Sequence, residues 1–139
     1  MAASAASKAA AARSSTILVV DDDDALRKAT VRSLEAGGHV VLAASGGDAA
    51  LALVAKMTTP IDLLLTDVAM PGMNGRELAE KLVVLLPSLR VIYTSGHSDD
   101  EVLAHGVKKA EMDFMQKPVR PAELLAKVRD VLARHVLAR

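Results

Sequence analysis

The sequence predicts an α/β fold, a doubly wound parallel sheet with helices on both faces. Three observations predict it. Short apolar runs alternate five times with segments of helical periodicity. The main runs are continuously apolar, as strands covered on both faces require. The chain has 139 residues, 51% of them hydrophobic, enough for one core of this kind.

The first fifteen residues, MAASAASKAAAARSS, are mostly alanine and serine and have little to bury. They read as a disordered arm or linker over 1–15, with the folded part over 16–139. They lack the Leu-rich run of a secretory signal. ILVV (17–20) is strand 1. In the helical pattern that follows, Leu26, Thr30, Ser33 and Leu34 share a face, and Gly37-Gly38 ends it. HVVLAA (39–44) is strand 2, and Ser45 reads as the cap of a helix running to Lys56. IDLLLTD (61–67) is strand 3, and the loop VAMPGMNG follows it. Leu78, Leu82, Leu85 and Leu86 then recur at helical spacing until Pro87. RVIYTS (90–95) is strand 4, followed by a weaker fourth helix from Asp99 to His105. DFMQ (113–116) is a short strand 5. Pro121 opens a fifth and last helix, whose apolar stripe is Leu124, Val128, Val131 and Leu132.

Right-handed strand–helix–strand connections make this a flavodoxin-like (βα)5 sandwich with strand order 2-1-3-4-5. In that order strands 1 and 3 are neighbours. Ligands bind beyond the carboxyl ends of the strands, where the order reverses. Strand 1 ends at Asp21 and strand 3 at Asp67, so the topology brings two acid sites together.

Composition excludes several functions. Lys+Arg and Asp+Glu are 17 each, so no charge excess favours nucleic acid or a membrane surface. Cysteine is absent, which removes disulfides, thiolate metal sites and cysteine nucleophiles. No apolar run is long enough to cross a bilayer. The aromatic residues are Tyr93 and Phe114, so the core is aliphatic.

The stretch VVDDDDAL (19–26) then needs a reason. Two carboxylates about 4 Å apart repel by roughly 4 kcal/mol at an effective dielectric near 20. Such a cluster either raises its pKa values or holds a cation. With oxygen ligands alone the cation is hard: Mg²⁺, with Mn²⁺ suiting the same set. Mg²⁺ held by a few carboxylates keeps positions open for phosphate oxygens, the arrangement phosphoryl transfer uses. Thr94-Ser95-Gly96 places hydroxyls at the end of strand 4, and Lys117-Pro118 places an ammonium at the end of strand 5. Each feature has a structural explanation by itself. Asp22, Asp23 and Asp24 could serve a helix dipole, Asp67 a turn, Lys117 only solvent, and the hydroxyls local backbone bonds. Their convergence at the ends of strands 1, 3, 4 and 5 favours a site. A carboxylate nucleophile, a metal, a hydroxyl and a lysine around one pocket can make and hold an aspartyl phosphate.

ILVVDDD, LLLTDVAMPGMNG, VIYTSG and FMQKP together resemble the receiver domain of two-component response regulators, over Thr16 to Ala133. The resemblance implies that Asp67 is the phosphoacceptor, served by a histidine kinase or histidine phosphotransfer protein. It implies a metal set of Asp21, Asp22, Asp67 and the backbone carbonyl of Ala69, with Asp21 acting largely through water. Ser95 fits the switch hydroxyl better than Thr94, because Gly follows it. Lys117 pairs with the phosphate, and a cis Lys117–Pro118 bond is expected, proline lowering the cost of that isomer. Phe114 takes the place of the rotating aromatic, and partners read the face of helix 4, strand 5 and helix 5. Asp23 flanks the site, and Asp24 favours the start of the first helix. The implied setting is cytoplasmic, the implied state a monomer or weak dimer, and the implied role a switch rather than an enzyme. Two departures stand out. Phe114 has no hydroxyl, and Val119 stands where Phe commonly follows Lys-Pro. TSGHSDD and HGVKKAEMDF look like receivers attached to hybrid sensor kinases, so the chain reads as a single-domain regulator or an excised receiver. Two alternatives compete: a haloacid-dehalogenase-like phosphatase with Asp21 as nucleophile, and a receiver-like interaction module that is never phosphorylated.

Overall fold

A computed structural model describes residues 15–96 and 112–137, with side chains to residue 134. In chain order the elements are β1 (Thr16–Val20), α1 (Asp24–Ala36), β2 (Val40–Ala44), α2 (Gly47–Ala55), β3 (Leu63–Asp67), α3 (Gly75–Leu85), β4 (Arg90–Ser95), β5 (Phe114–Gln116) and α4 (Pro121–Leu137). The helix expected from Asp99 to His105 lies outside the described residues, so α4 is the helix that the sequence places fifth.

The strands form one parallel sheet in the order β2-β1-β3-β4-β5, as the alternation predicts. Successive strand residues point to opposite faces, and this alternation divides the core in two. Leu18, Val20, Leu64 and Val68 pack with Ala50, Leu78 and Leu82, beneath α2 and α3. Ile17, Val19, Leu63, Leu65 and Ile92 pack with Leu34, Leu124 and Val128, beneath α1 and α4. Phe114 packs at the margin of the first cluster, which includes Tyr93.

The structure corrects several local expectations. Ser15, assigned to the arm, is already buried, and its carbonyl accepts the Val40 N–H at 3.0 Å. Ser45 does not cap α2. The N-cap is Gly46, without a side-chain bond, and glycine is itself an accepted residue there. Leu26 and Leu85, which fall at helical spacing with buried leucines, are exposed, because a 3.6-residue period carries them to the edges of their helical stripes. The strict cap signal is on α3, where Asn74 accepts the Glu77 N–H and Glu77 accepts the Asn74 N–H, both at 2.9 Å.

Candidate functional site

Backbone bonds continue past the sheet and tie the carboxyl end of β1 to β2, that of β3 to β4, and that of β5 to β4. Asp21 N–H donates to the Ala44 carbonyl at 3.3 Å, Val68 N–H to Thr94 at 2.9 Å, and Lys117 N–H to Ser95 at 2.9 Å. These bonds hold rigid the backbone that carries the candidate residues. Asp21 and Asp67 are both buried at 6% exposure, whereas Asp22 is exposed. One carboxylate oxygen from each of Asp21, Asp22 and Asp67 falls in a group whose members lie within 4.8 Å of one another.

Lys117 bridges the cluster. Its Nζ donates to Asp21 Oδ2 at 2.9 Å and to Asp67 Oδ2 at 3.2 Å. The Lys117–Pro118 bond is cis. Burial by itself would lower the Lys117 ammonium, but its bond to Asp21 and the charges of both carboxylates outweigh burial and raise it. Asp67 also moves upward. Burial raises it most, Lys117 draws it down, and Asp21 and Asp22 push it up. Two partners in one ion pair thus shift the same way. Lys117 faces two carboxylates, while Asp67 faces one ammonium and two like charges, so Lys117 is charged.

The remaining oxygen, Asp67 Oδ1, is buried without a hydrogen-bond partner among the described residues. Asp21 differs. Its Oδ1 accepts the Asp23 N–H at 2.9 Å, and its Oδ2 takes the lysine. Asp23 is therefore more than a flanking charge. It caps α1, accepting the Leu26 N–H at 3.0 Å, while Asp24 pairs with Arg27. Asp21, Asp23 and Asp24 thus make different bonds, and Asp22 is the exposed member of the carboxylate group.

Of the other predicted residues, Ser95 is fully buried at the end of β4, one position beyond Thr94, the register partner of Asp67. Ala69 lies two residues past Asp67 in the loop to α3. Sequence reading missed two positions. Gly75 lets the start of α3 lie against the Asp67 backbone, since a Cβ there would stand 2.2 Å from the Asp67 carbonyl oxygen. Arg27 Nη1 donates to the Asp21 carbonyl at 2.8 Å, which no local pattern announces.

Residues 17–129 match the family model described as the response regulator receiver domain. The chain belongs to that family. This receiver domain is 31% identical over 108 residues to the sensor kinase CckA of Brucella abortus, covering 78% of this chain and 11% of that protein. It is 31% identical over 113 residues to the response regulator protein FleR of Pseudomonas aeruginosa, covering 81% of this chain and 23% of that one. It thus spans less than a quarter of either relative. A crystal structure of a CheY-like receiver domain protein from Methanospirillum hungatei overlays with a TM-score of 0.77 at 32% identity, covering 90% of this chain and 98% of that one.

The residues of this receiver domain fit a hard divalent cation. The donors are carboxylates alone, they converge, and one buried oxygen lacks a partner. Beside the cluster, Asp21, Thr94 and Lys117 also border a cavity of about 250 Å³ between α1 and the start of α4, walled by Leu26, Val119 and Leu124. Val119, which stands where Phe is common in the family, is one wall of that space. Among the described residues no helix is long and apolar enough to cross a membrane.

Proposed function

We propose that the domain accepts a phosphoryl group on Asp67 from a phosphohistidine donor and switches its surface in response. The observation that carries this reading is the buried Asp67 Oδ1, without a partner among the described residues, beside a charged Lys117. That oxygen attacks phosphorus, and an O–P bond forms as the P–N bond breaks. The electron pair of the broken bond stays on the donor imidazole, which leaves neutral if its other nitrogen is protonated. Lys117 already lies at hydrogen-bond distance from the acceptor carboxylate, so it meets the charge of the transferred group without large movement.

Asp21, Asp22, Asp67 and the Ala69 carbonyl would hold Mg²⁺, or Mn²⁺. When bound, the ion neutralises the carboxylates and the phosphoryl oxygens. The new oxygens draw on the Ser95 hydroxyl and Lys117. Phe114, at the core margin, turns inward by packing alone, since it has no hydroxyl to bond. The face that a protein partner reads is the one expected from the Asp99 to His105 helix together with β5 and α4. The donor is a histidine kinase or histidine phosphotransfer protein, and the setting is cytoplasmic. The domain acts as a switch, not a multiple-turnover enzyme.

The phosphatase alternative needs Asp21 as nucleophile. Both Asp21 oxygens already have partners, which favours Asp67. The test is labelling with a small phosphodonor and Mg²⁺, read by intact mass and site mapping. The wild type gains one phosphoryl group and Asp67→Asn gains none. Full labelling of that variant sinks the assignment, and phosphate mapped to Asp21 supports the phosphatase. A wild type that never responds to Mg²⁺ and beryllofluoride supports the interaction module.

A further inference from the structure

Arg27 touches the acid turn and has no part in the reaction as proposed. It lies in the first turn of α1, where an arginine side chain ordinarily extends into water. Here it folds back and is only 16% exposed. Nη1 donates to the Asp21 carbonyl at 2.8 Å, and Nη2 pairs with the Asp24 carboxylate. The Asp21 carbonyl belongs to the peptide plane joining Asp21 to Asp22. Holding that carbonyl sets the direction in which Asp22 leaves the strand. The other bonds of the turn fix Asp21 and Asp23: the Asp21 N–H to Ala44, Asp21 Oδ1 to the Asp23 N–H, and Asp23 to the Leu26 N–H. Asp22 is the exposed member of the cluster, and the turn must aim it.

We propose that Arg27 is a positioning residue of the acid site, strapping the Asp21–Asp22 peptide to Asp24 so that the Asp22 carboxylate stays beside Asp21 and Asp67. This rests on the reading of the cluster as a divalent-cation site. The planar fork matters, because one guanidinium reaches a carbonyl and a carboxylate at once, whereas a lysine ammonium is a point charge on a flexible stem.

The role has a distinctive sign. Arg27 is positive, so acting by charge alone it would oppose a cation, and removing it would tighten binding. A strap predicts the reverse. The experiment is isothermal titration of the full chain with Mg²⁺ for the wild type, Arg27→Met, Arg27→Lys and Asp24→Asn, with melting curves in metal-free buffer. Arg27→Met is expected to weaken Mg²⁺ binding about fivefold, the net size of one ordinary hydrogen bond. Arg27→Lys fails to restore it, and Asp24→Asn gives a smaller loss in the same direction. Unchanged or tighter binding by folded Arg27→Met overturns the proposal, as does full recovery in Arg27→Lys. A lowered melting temperature with an unchanged Mg²⁺ constant means a merely structural role, and also overturns it. If Arg27→Met does not fold, Arg27→Lys and Asp24→Asn decide the matter. A wild type that binds no Mg²⁺ overturns the cation reading as a whole, an outcome distinct from a normal wild type with a silent Arg27.

Discussion

Gly75 and Asp67 are in backbone contact: a Cβ on Gly75 would stand 2.2 Å from the Asp67 carbonyl oxygen and 3.0 Å from its carbonyl carbon. The Gly75 N–H also donates to the Val68 carbonyl at 2.8 Å. The first turn of α3 is therefore seated on Asp67, the proposed acceptor. Gly75→Ala must displace main chain, since no flexible side chain can yield. It is expected to cost about 1–3 kcal/mol in denaturant unfolding and to slow labelling of Asp67. Wild-type stability and rate in that variant would show the seat to be loose.

Asp67 makes stability depend on pH in an unusual direction. Its folded pKa is raised, chiefly by burial. Its contribution is present below the unfolded value, near 3.9 for aspartate, and is lost as pH rises through the folded value. Ionised Asp67 is thus a net cost at neutral pH without metal. Asp67→Asn is expected to melt roughly 2–5 °C above the wild type at pH 7, with the gap closing toward about pH 3. Mg²⁺ should raise the wild-type melting temperature more than that of the variant. A variant that melts lower at pH 7 would mean that the Lys117 pair outweighs burial.

Asp113 behaves in the opposite way. Burial pushes it up, but hydrogen bonds from Arg134 and Lys127 and the charges of both outweigh burial and hold it below the ordinary value. Its contribution is present above the unfolded value and lost as pH falls through the folded one. Asp113→Asn should cost about 1 kcal/mol at pH 7, and the two proteins should converge below about pH 3. A constant difference across that range would remove the ion pairs as its cause.

Val119 borders the cavity of about 250 Å³ between α1 and α4. Val119→Phe adds apolar volume at that wall. The expected gain is about 1 kcal/mol in unfolding free energy, since filled space recovers both transfer and packing terms. A loss instead would mean that the larger ring strains the start of α4.

The fold was legible because its signals are periodic and strong. Five apolar runs, Pro121 at a helix start and the breakers Gly37-Gly38 and Pro87 mark the elements whatever their neighbours. The convergence of Asp21, Asp22, Asp67 and Lys117 was legible too, because the order 2-1-3-4-5 follows from handedness and places strand ends together. What escaped depends on distances that spacing does not encode. Asp23, expected only to flank the site, caps α1, because capping is decided by backbone geometry at one residue, while Asp24 stands in the first turn as expected. Gly75 looked like any loop breaker until the Asp67 carbonyl proved to lie against it. Arg27 belongs to no motif of the sequence, and only a side chain folded back across its own turn reveals the bond. The Asn74 to Glu77 capping box was readable as N-x-x-E in the sequence.

The Lys117 bridge bears on how the site meets ions. Three carboxylates against one ammonium leave two negative charges, the complement of a single divalent cation. The lysine is thus an internal counterion that lets the carboxylates gather before any metal arrives. Loading with a divalent ion would then be partial ion exchange, the newcomer competing with an ammonium already bonded to two of the acids. Such an exchange would keep affinity moderate and release easy, and would make occupancy respond to ionic strength. A site built this way would sample the divalent ion of its surroundings rather than sequester it.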